Sequence, residues 1–147
     1  MDRQALLDSA RKIMAPSPET AKEFSDKRVI LTRIIKQVLD AKLSLPESDK
    51  AQKSGMDRND HTYHLMHMEG LFTAYSPEEY VDTTLWTARM YRSHGFNLNH
   101  WETILKTITG IFKTELTPKA YGEIYPFYEW MISNIPDFIS ITDNQAP

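Results

Sequence analysis

Residues 76–95 read "SPEEYVDTTLWTARMYRSHG", and this stretch carries the signals for both ends of one helix. Ser76 stands where a cap is needed, Pro77 falls in the first turn, and Glu79 completes a capping box three residues after the serine. Gly95 suits the position just past the helix end, with Phe96 placed to close it by a hydrophobic contact. Between these signals Thr84, Ala88 and Tyr91 share one face, the face that looks into the core. No segment alternates with the period of two that marks a half-buried strand, so the fold class is all-α.

The same start-and-stop chemistry organises the chain on either side. Downstream, Asn97 or Asn99 caps "HWETILKTITGIFKTEL" (100–116), where Trp101, Ile104, Leu105, Ile108, Ile111 and Phe112 form a wide apolar stripe. "TPKA" at 117–120 opens a sixth helix by a Thr-Pro device. Its face is Tyr121, Ile124, Tyr125, Tyr128, Met131 and Ile132, with a kink expected at Pro126. Upstream, Asp60 opens a helix beginning "HTYHLMHMEG" (61–70), preceded by a polar surface loop at about 45–60, "LPESDKAQKSGMDRND". Before it, Ser17 and Pro18 begin a long helix reaching about Leu43, with Phe24, Ile30, Leu31, Ile34, Ile35, Val38 and Leu39 on one broad face. A short first helix spans roughly 2–14, its stripe formed by Ala5, Leu6, Ala10, Ile13 and Met14. About six helices in a single domain, residues 1–147, are expected.

Composition narrows the function classes. The 17 Lys and Arg against 20 Asp and Glu give a net charge of −3, which does not indicate a basic nucleic-acid surface. Cysteine is absent, which removes disulfides, thiolate metal sites and cysteine nucleophiles together. The apolar runs are far too short to span a bilayer and no signal-peptide pattern opens the chain, so a soluble, cytoplasmic protein without membrane insertion is expected. Aromatic residues at 11% together with seven Met make a core that packs adaptably and suits a pocket.

Three of the five histidines, His61, His64 and His67, recur every third residue and fan across about 120° of a helix surface. No zincin arrangement accompanies them, and three imidazoles from one straight helix converge poorly on a metal. His64 continues into Met68, Leu71 and Tyr75 at helical spacing, which points it inward, with His67 at the margin. Each is either a buried, hydrogen-bonded core histidine or a polar group in the wall of an apolar pocket. Arg89, Arg92 and His94 crowd the C-terminal end of their helix, where positive charge complements the helix dipole. No phosphate loop, nucleophile elbow or kinase signature is present, and no enzyme is expected.

The stretch "HMEGLFTAYSPEEYVDTTLWTARMYRSHGFNLNHW" (67–101) resembles the centre of bacterial globin-coupled sensor domains. Phe72, the pair Tyr80-Val81, Ala88, Gly95-Phe96 and Trp101 occupy the places of that family's pattern. The resemblance implies a globin-like fold, and one departure from the pattern matters more than the matches. In the oxygen-sensing members the place of Tyr91 holds the histidine that ligates haem, so the chain is more similar to the haem-free branch. Closest are the stand-alone sporulation-inhibitory sensor-domain proteins of spore-forming bacilli.

That resemblance implies a non-catalytic regulatory sensor domain with no haem and no output domain. It would bind a fatty acid, with a halide ion (chloride) as a second ligand, and inhibit sporulation by competing with a sensor histidine kinase for its signal. The partners implied are the fatty acid, a second copy through the last two long helices, and pairing with a kinase sensor domain. The polar end of the ligand site is assigned to His64, His67, Arg89, Tyr91, Arg92 and His94. Its apolar wall is assigned to Ile30, Ile34, Met66, Met68, Leu71, Leu85, Trp86, Met90, Ile104, Ile108 and Phe112. The alternative is a haem-binding globin gas or redox sensor, with Tyr91 or a distal histidine as ligand. A metalloprotein built on the histidine run is a third reading.

Overall fold

The computed structural model describes residues 2–42, 61–95 and 97–143. Among these lie seven helices and no strand: α1 (Arg3–Ala10), α2 (Pro18–Lys42), α3 (61–73), α4 (Pro77–Ser93), α5 (Leu98–Glu115), α6 (Pro118–Ser133) and α7 (Ile135–Asp143). The polar loop at 45–60, the Asp60 cap and the Phe96 contact lie outside the described residues. No helix among those described is long and apolar enough to cross a membrane.

The caps stand where the local chemistry places them. Ser76 accepts a hydrogen bond from the Glu79 amide, Asn97 from that of Asn99, Thr117 from that of Ala120, and Asp2 from that of Ala5. Ser17 receives the amide of Thr20 at 3.3 Å, one residue before Pro18. α4 ends with Gly95 at φ +80°, a left-handed conformation that glycine adopts without steric cost. α6 runs unbroken past Pro126, whose missing amide leaves the carbonyl four residues back without its helical partner.

Three expectations are corrected. α1 stops at Ala10 instead of Met14, which is 84% exposed, because Ala15 precedes Pro16 and is biased away from helix. α2 buries Phe24, Leu31, Ile35 and Leu39, while Ile30 and Val38, each one residue and 100° away from that stripe, are exposed. A seventh helix follows the expected six. α7 starts at Ile135-Pro136, proline again sitting in a first turn, and buries Ile135, Phe138 and Thr142.

Packing follows the apolar stripes. α2, α5 and α6 pack on one another, while α4 packs against α1 and α7. A connected series of aromatic rings joins these groups through the core. Phe24 of α2 meets Phe72 of α3 edge-on at 5.0 Å and Phe112 of α5 at 5.7 Å. Phe112 meets Tyr128 of α6 at 5.3 Å, Phe72 meets Phe127 at 5.2 Å, and Phe127 meets Tyr80 of α4 at 5.6 Å. Trp130 then bridges Tyr80 to Phe138 of α7 at 4.8 and 5.6 Å. Ring centroids at these separations favour edge-to-face and offset contacts, which add to the gain from burial.

The polar groups of these rings are satisfied by neighbouring helices. The Tyr80 hydroxyl donates to the Phe127 carbonyl at 2.5 Å, and Trp130 Nε1 donates to Ser9 Oγ at 2.8 Å. Two carboxylates also cross-brace the starts of α2 and α6. Glu123 accepts the Ser17 amide at 2.6 Å, and Glu23 accepts the amide and hydroxyl of Thr117 at 2.8 and 2.7 Å.

Candidate functional site

α3 carries His61, His64 and His67 to the wall of one cavity of about 140 Å³. Tyr63 of the same helix joins them, Thr83, Trp86 and Thr87 come from α4, and Trp101, Ile104, Leu105 and Ile108 come from α5. The 120° fan therefore spans one hollow instead of splitting between core and solvent. The four α5 side chains are buried and form an apolar floor, whereas Tyr63 and Trp86 are 68% and 59% exposed and form the rim.

The cavity is electrically quiet. Among the described residues, none that lines it is Lys, Arg, Asp or Glu. His64 is held down to about 3, mainly because burial penalises its charged form, with His67 and His61 beside it acting in the same direction. Its Nε2 and the Tyr128 hydroxyl share a hydrogen bond of 2.8 Å. Burial also lowers His67, against a smaller upward pull from Glu79. Both imidazoles are neutral at pH 7. Burial conversely pushes the Tyr128 phenol well above its ordinary range, so it keeps its proton. His67 Nε2 is buried without a hydrogen-bond partner among the described residues, a state that costs roughly 1–3 kcal/mol unless a water or ligand group satisfies it. The Thr87 hydroxyl donates to the Thr83 carbonyl at 3.0 Å.

The structure gathers part of the expected site. His64, His67, Trp86, Ile104 and Ile108 line the cavity together. The other four residues of the expected polar end are elsewhere. Tyr91 is fully buried and packs on Trp101 at 5.9 Å without lining the cavity. Arg92 donates to the Ile139 carbonyl and to Thr142 Oγ1, both at 2.9 Å, and pairs with Asp143, so its guanidinium anchors α7. An open groove of about 430 Å³ beside it is bounded by Gly95, Asn97, Leu98 and Ile139. Arg89 is half-buried and His94 is the exposed C-cap of α4; neither lines the cavity.

The expected apolar wall divides as well. Met68, Leu71, Leu85 and Phe112 are buried in the core, away from the cavity lining. Ile30 and Met66 are 53% and 48% exposed, so they are not part of an enclosed wall, while Ile34 and Met90 are half-buried and do not line it. The reason is the ring series, which fills the centre and leaves this hollow to the side, where α3, α4 and α5 meet.

His61, Tyr63, Thr83, Thr87, Trp101 and Leu105 were missing from the expected site. Helical spacing held a signal for some of them, since Thr83 and Thr87 stand on either side of Trp86 at i−3 and i+1, and Trp101 and Leu105 belong to the stripe of Ile104 and Ile108. Among the described residues no group of three His, Asp or Glu side chains is placed to hold a metal ion. No protein-family model, no curated protein and no solved structure matches this chain.

Proposed function

We propose that the protein is a non-catalytic sensor domain that binds an apolar ligand, of the fatty-acid class implied by its resemblance to haem-free globin sensors, in the cavity between α3, α4 and α5. The observation that carries this is the cavity itself: an apolar floor from α5, three histidines on one wall, His64 and His67 among them neutral, and two exposed aromatic rings at the mouth. Such a mixture of apolar surface and a few polar groups is typical of small-molecule sites.

The lining sets the pose. With no cation among the described residues that line it, a carboxylate would enter at a heavy desolvation cost, so a fatty acid goes in tail first and leaves its head at the Tyr63–Trp86 rim. At about 140 Å³ the hollow is below the roughly 300–1,000 Å³ of ordinary ligand pockets. A long chain therefore runs out over the rim or parts the surrounding side chains. The lack of room also supports a reading without haem. A macrocycle several times the size of a benzene ring does not fit this hollow, and Tyr91 is committed to its packing against Trp101.

In the regulatory role that the resemblance implies, the domain acts by sequestering its ligand or by pairing with a histidine kinase's sensor domain, in control of sporulation. A homodimer through α5 and α6 would meet through Ile111, Tyr121, Tyr125 and Ile132, the apolar residues of those helices left half-buried. The test is to purify the protein without detergent, record its visible spectrum, and analyse an organic extract by mass spectrometry. A colourless protein releasing near-equimolar fatty acid supports the proposal. A Soret band overturns the haem-free reading, and an empty protein that takes up no added long-chain acid overturns the ligand.

A further inference from the structure

We propose, on the footing that this cavity is the ligand site, that the ligand it fits as built is a small uncharged aromatic molecule: a single six-membered ring with one hydrogen-bonding substituent, as in phenol. Size is the first argument. The hollow measures about 140 Å³, close to the roughly 150 Å³ of an engineered apolar cavity that takes benzene. A single ring occupies it without any movement of the core, whereas an extended chain does not.

The walls are the second argument. Trp101 lies at the buried end and Trp86 and Tyr63 at the rim, so a ring entering between them meets other rings at both ends of its path. Ring pairs of this kind gain beyond the burial of area, through edge-to-face and offset contacts that an alkyl tail does not share. Ile104 and Ile108 offer the flat apolar surface beneath.

Polarity completes the description. His64 is taken by Tyr128, but His67, with its unpartnered nitrogen, and the Thr83–Thr87 side of α4 border the same hollow. One hydroxyl or amino group on the ring answers these groups. More than one would meet the apolar floor. Because no charged side chain among the described residues lines the cavity, an ionised analogue of the same shape, such as benzoate, is disfavoured by desolvation.

The test uses the full chain stripped of bound lipid and titrated at pH 7.5 with phenol, benzoate and palmitate, with binding read by calorimetry and by thermal melts. Phenol should bind saturably and raise the melting temperature by about 4–6 °C at ten times its dissociation constant. Benzoate should bind at least roughly tenfold more weakly. In the unmodified protein, nuclear Overhauser contacts from the phenol ring should reach the methyl groups of Ile104 and Ile108. Ile104→Phe, which fills the hollow, should weaken phenol by at least about tenfold. If that variant does not fold, the Overhauser contacts alone decide. Equal binding of phenol and benzoate, or phenol binding without contacts to Ile104 and Ile108, overturns the proposal. Palmitate binding without phenol binding overturns the ring ligand and leaves the fatty-acid function standing, and no binding by any of the three overturns both.

Discussion

Replacing His64 with glutamine should flatten the acid side of this protein's stability curve. His64 sits near 3 in the folded protein because burial penalises its charged form, while in the unfolded chain it titrates near 6.5. Between those values the unfolded state binds one more proton than the folded state. Stability supplied by this depressed group is therefore whole above pH 6.5 and drains away as pH falls, at about 1.4 kcal/mol per pH unit. From pH 7.5 to 5.0 the loss amounts to about 2 kcal/mol, a large share of the roughly 5–15 kcal/mol that holds a domain together. Glutamine at the same place can still bond the Tyr128 hydroxyl but has no proton to take up, so most of this loss should vanish in His64→Gln. Urea unfolding followed by tryptophan fluorescence at pH 7.5, 6.5, 5.5 and 5.0 reads the difference. Stopping at 5.0 keeps clear of Glu23, Glu78, Asp82 and Glu123, which are held below their ordinary values and begin to cost stability only in more acid solution. His67 is lowered too and steepens both curves in the same sense, so the comparison isolates His64. Parallel curves for the two proteins would refute the reasoning and mean that His64 is protonated in the folded state at pH 5.

Three further outcomes follow from the packing. Phe24→Ala, which removes the ring joining Phe72 and Phe112, should cost roughly 3–5 kcal/mol in urea unfolding; less than about 1 would mean that the ring series closes over the gap. Thr117→Ala loses both the α6 cap and the two bonds to Glu23, for about 1–2 kcal/mol, and an unchanged urea midpoint would count against the cross-brace. Arg92→Ala should free α7, so amide exchange over 135–143 speeds up severalfold while that of α2 is unchanged; equal protection in the variant would show that Phe138 alone holds the helix.

How far the sequence could be read depended on the range of the interaction involved. Ser76, Asn97 and Thr117 act within three residues of themselves, and Gly95 acts through its own backbone angle, so each was legible as a string of letters. Stripes were legible to within one residue of phase. In α2 the run of apolar residues from Val29 to Leu31 left their order of burial open, and packing chose Leu31 and exposed Val29 and Ile30. In α6, Phe127 and Trp130 face the core although the expected stripe passed over both. The site residues divided by the same rule: Ile104 and Ile108 on one helix face kept each other's company, but Arg92, expected at the ligand, was drawn away to a helix absent from the expectation.

By itself the sequence determined that this chain is helical, where most of its helices begin, and that its middle carries histidines toward an aromatic core, because capping, proline geometry and helical periodicity are decided by near neighbours. Only the tertiary structure decided that all three histidines share one hollow, that the charge of His64 and His67 is suppressed, and that the hollow is no larger than a ring. A cavity is the space that three packed helices fail to fill. Its size and electrostatics depend on what the rings of α2, α6 and α7 have already occupied, over sequence separations that no local pattern spans.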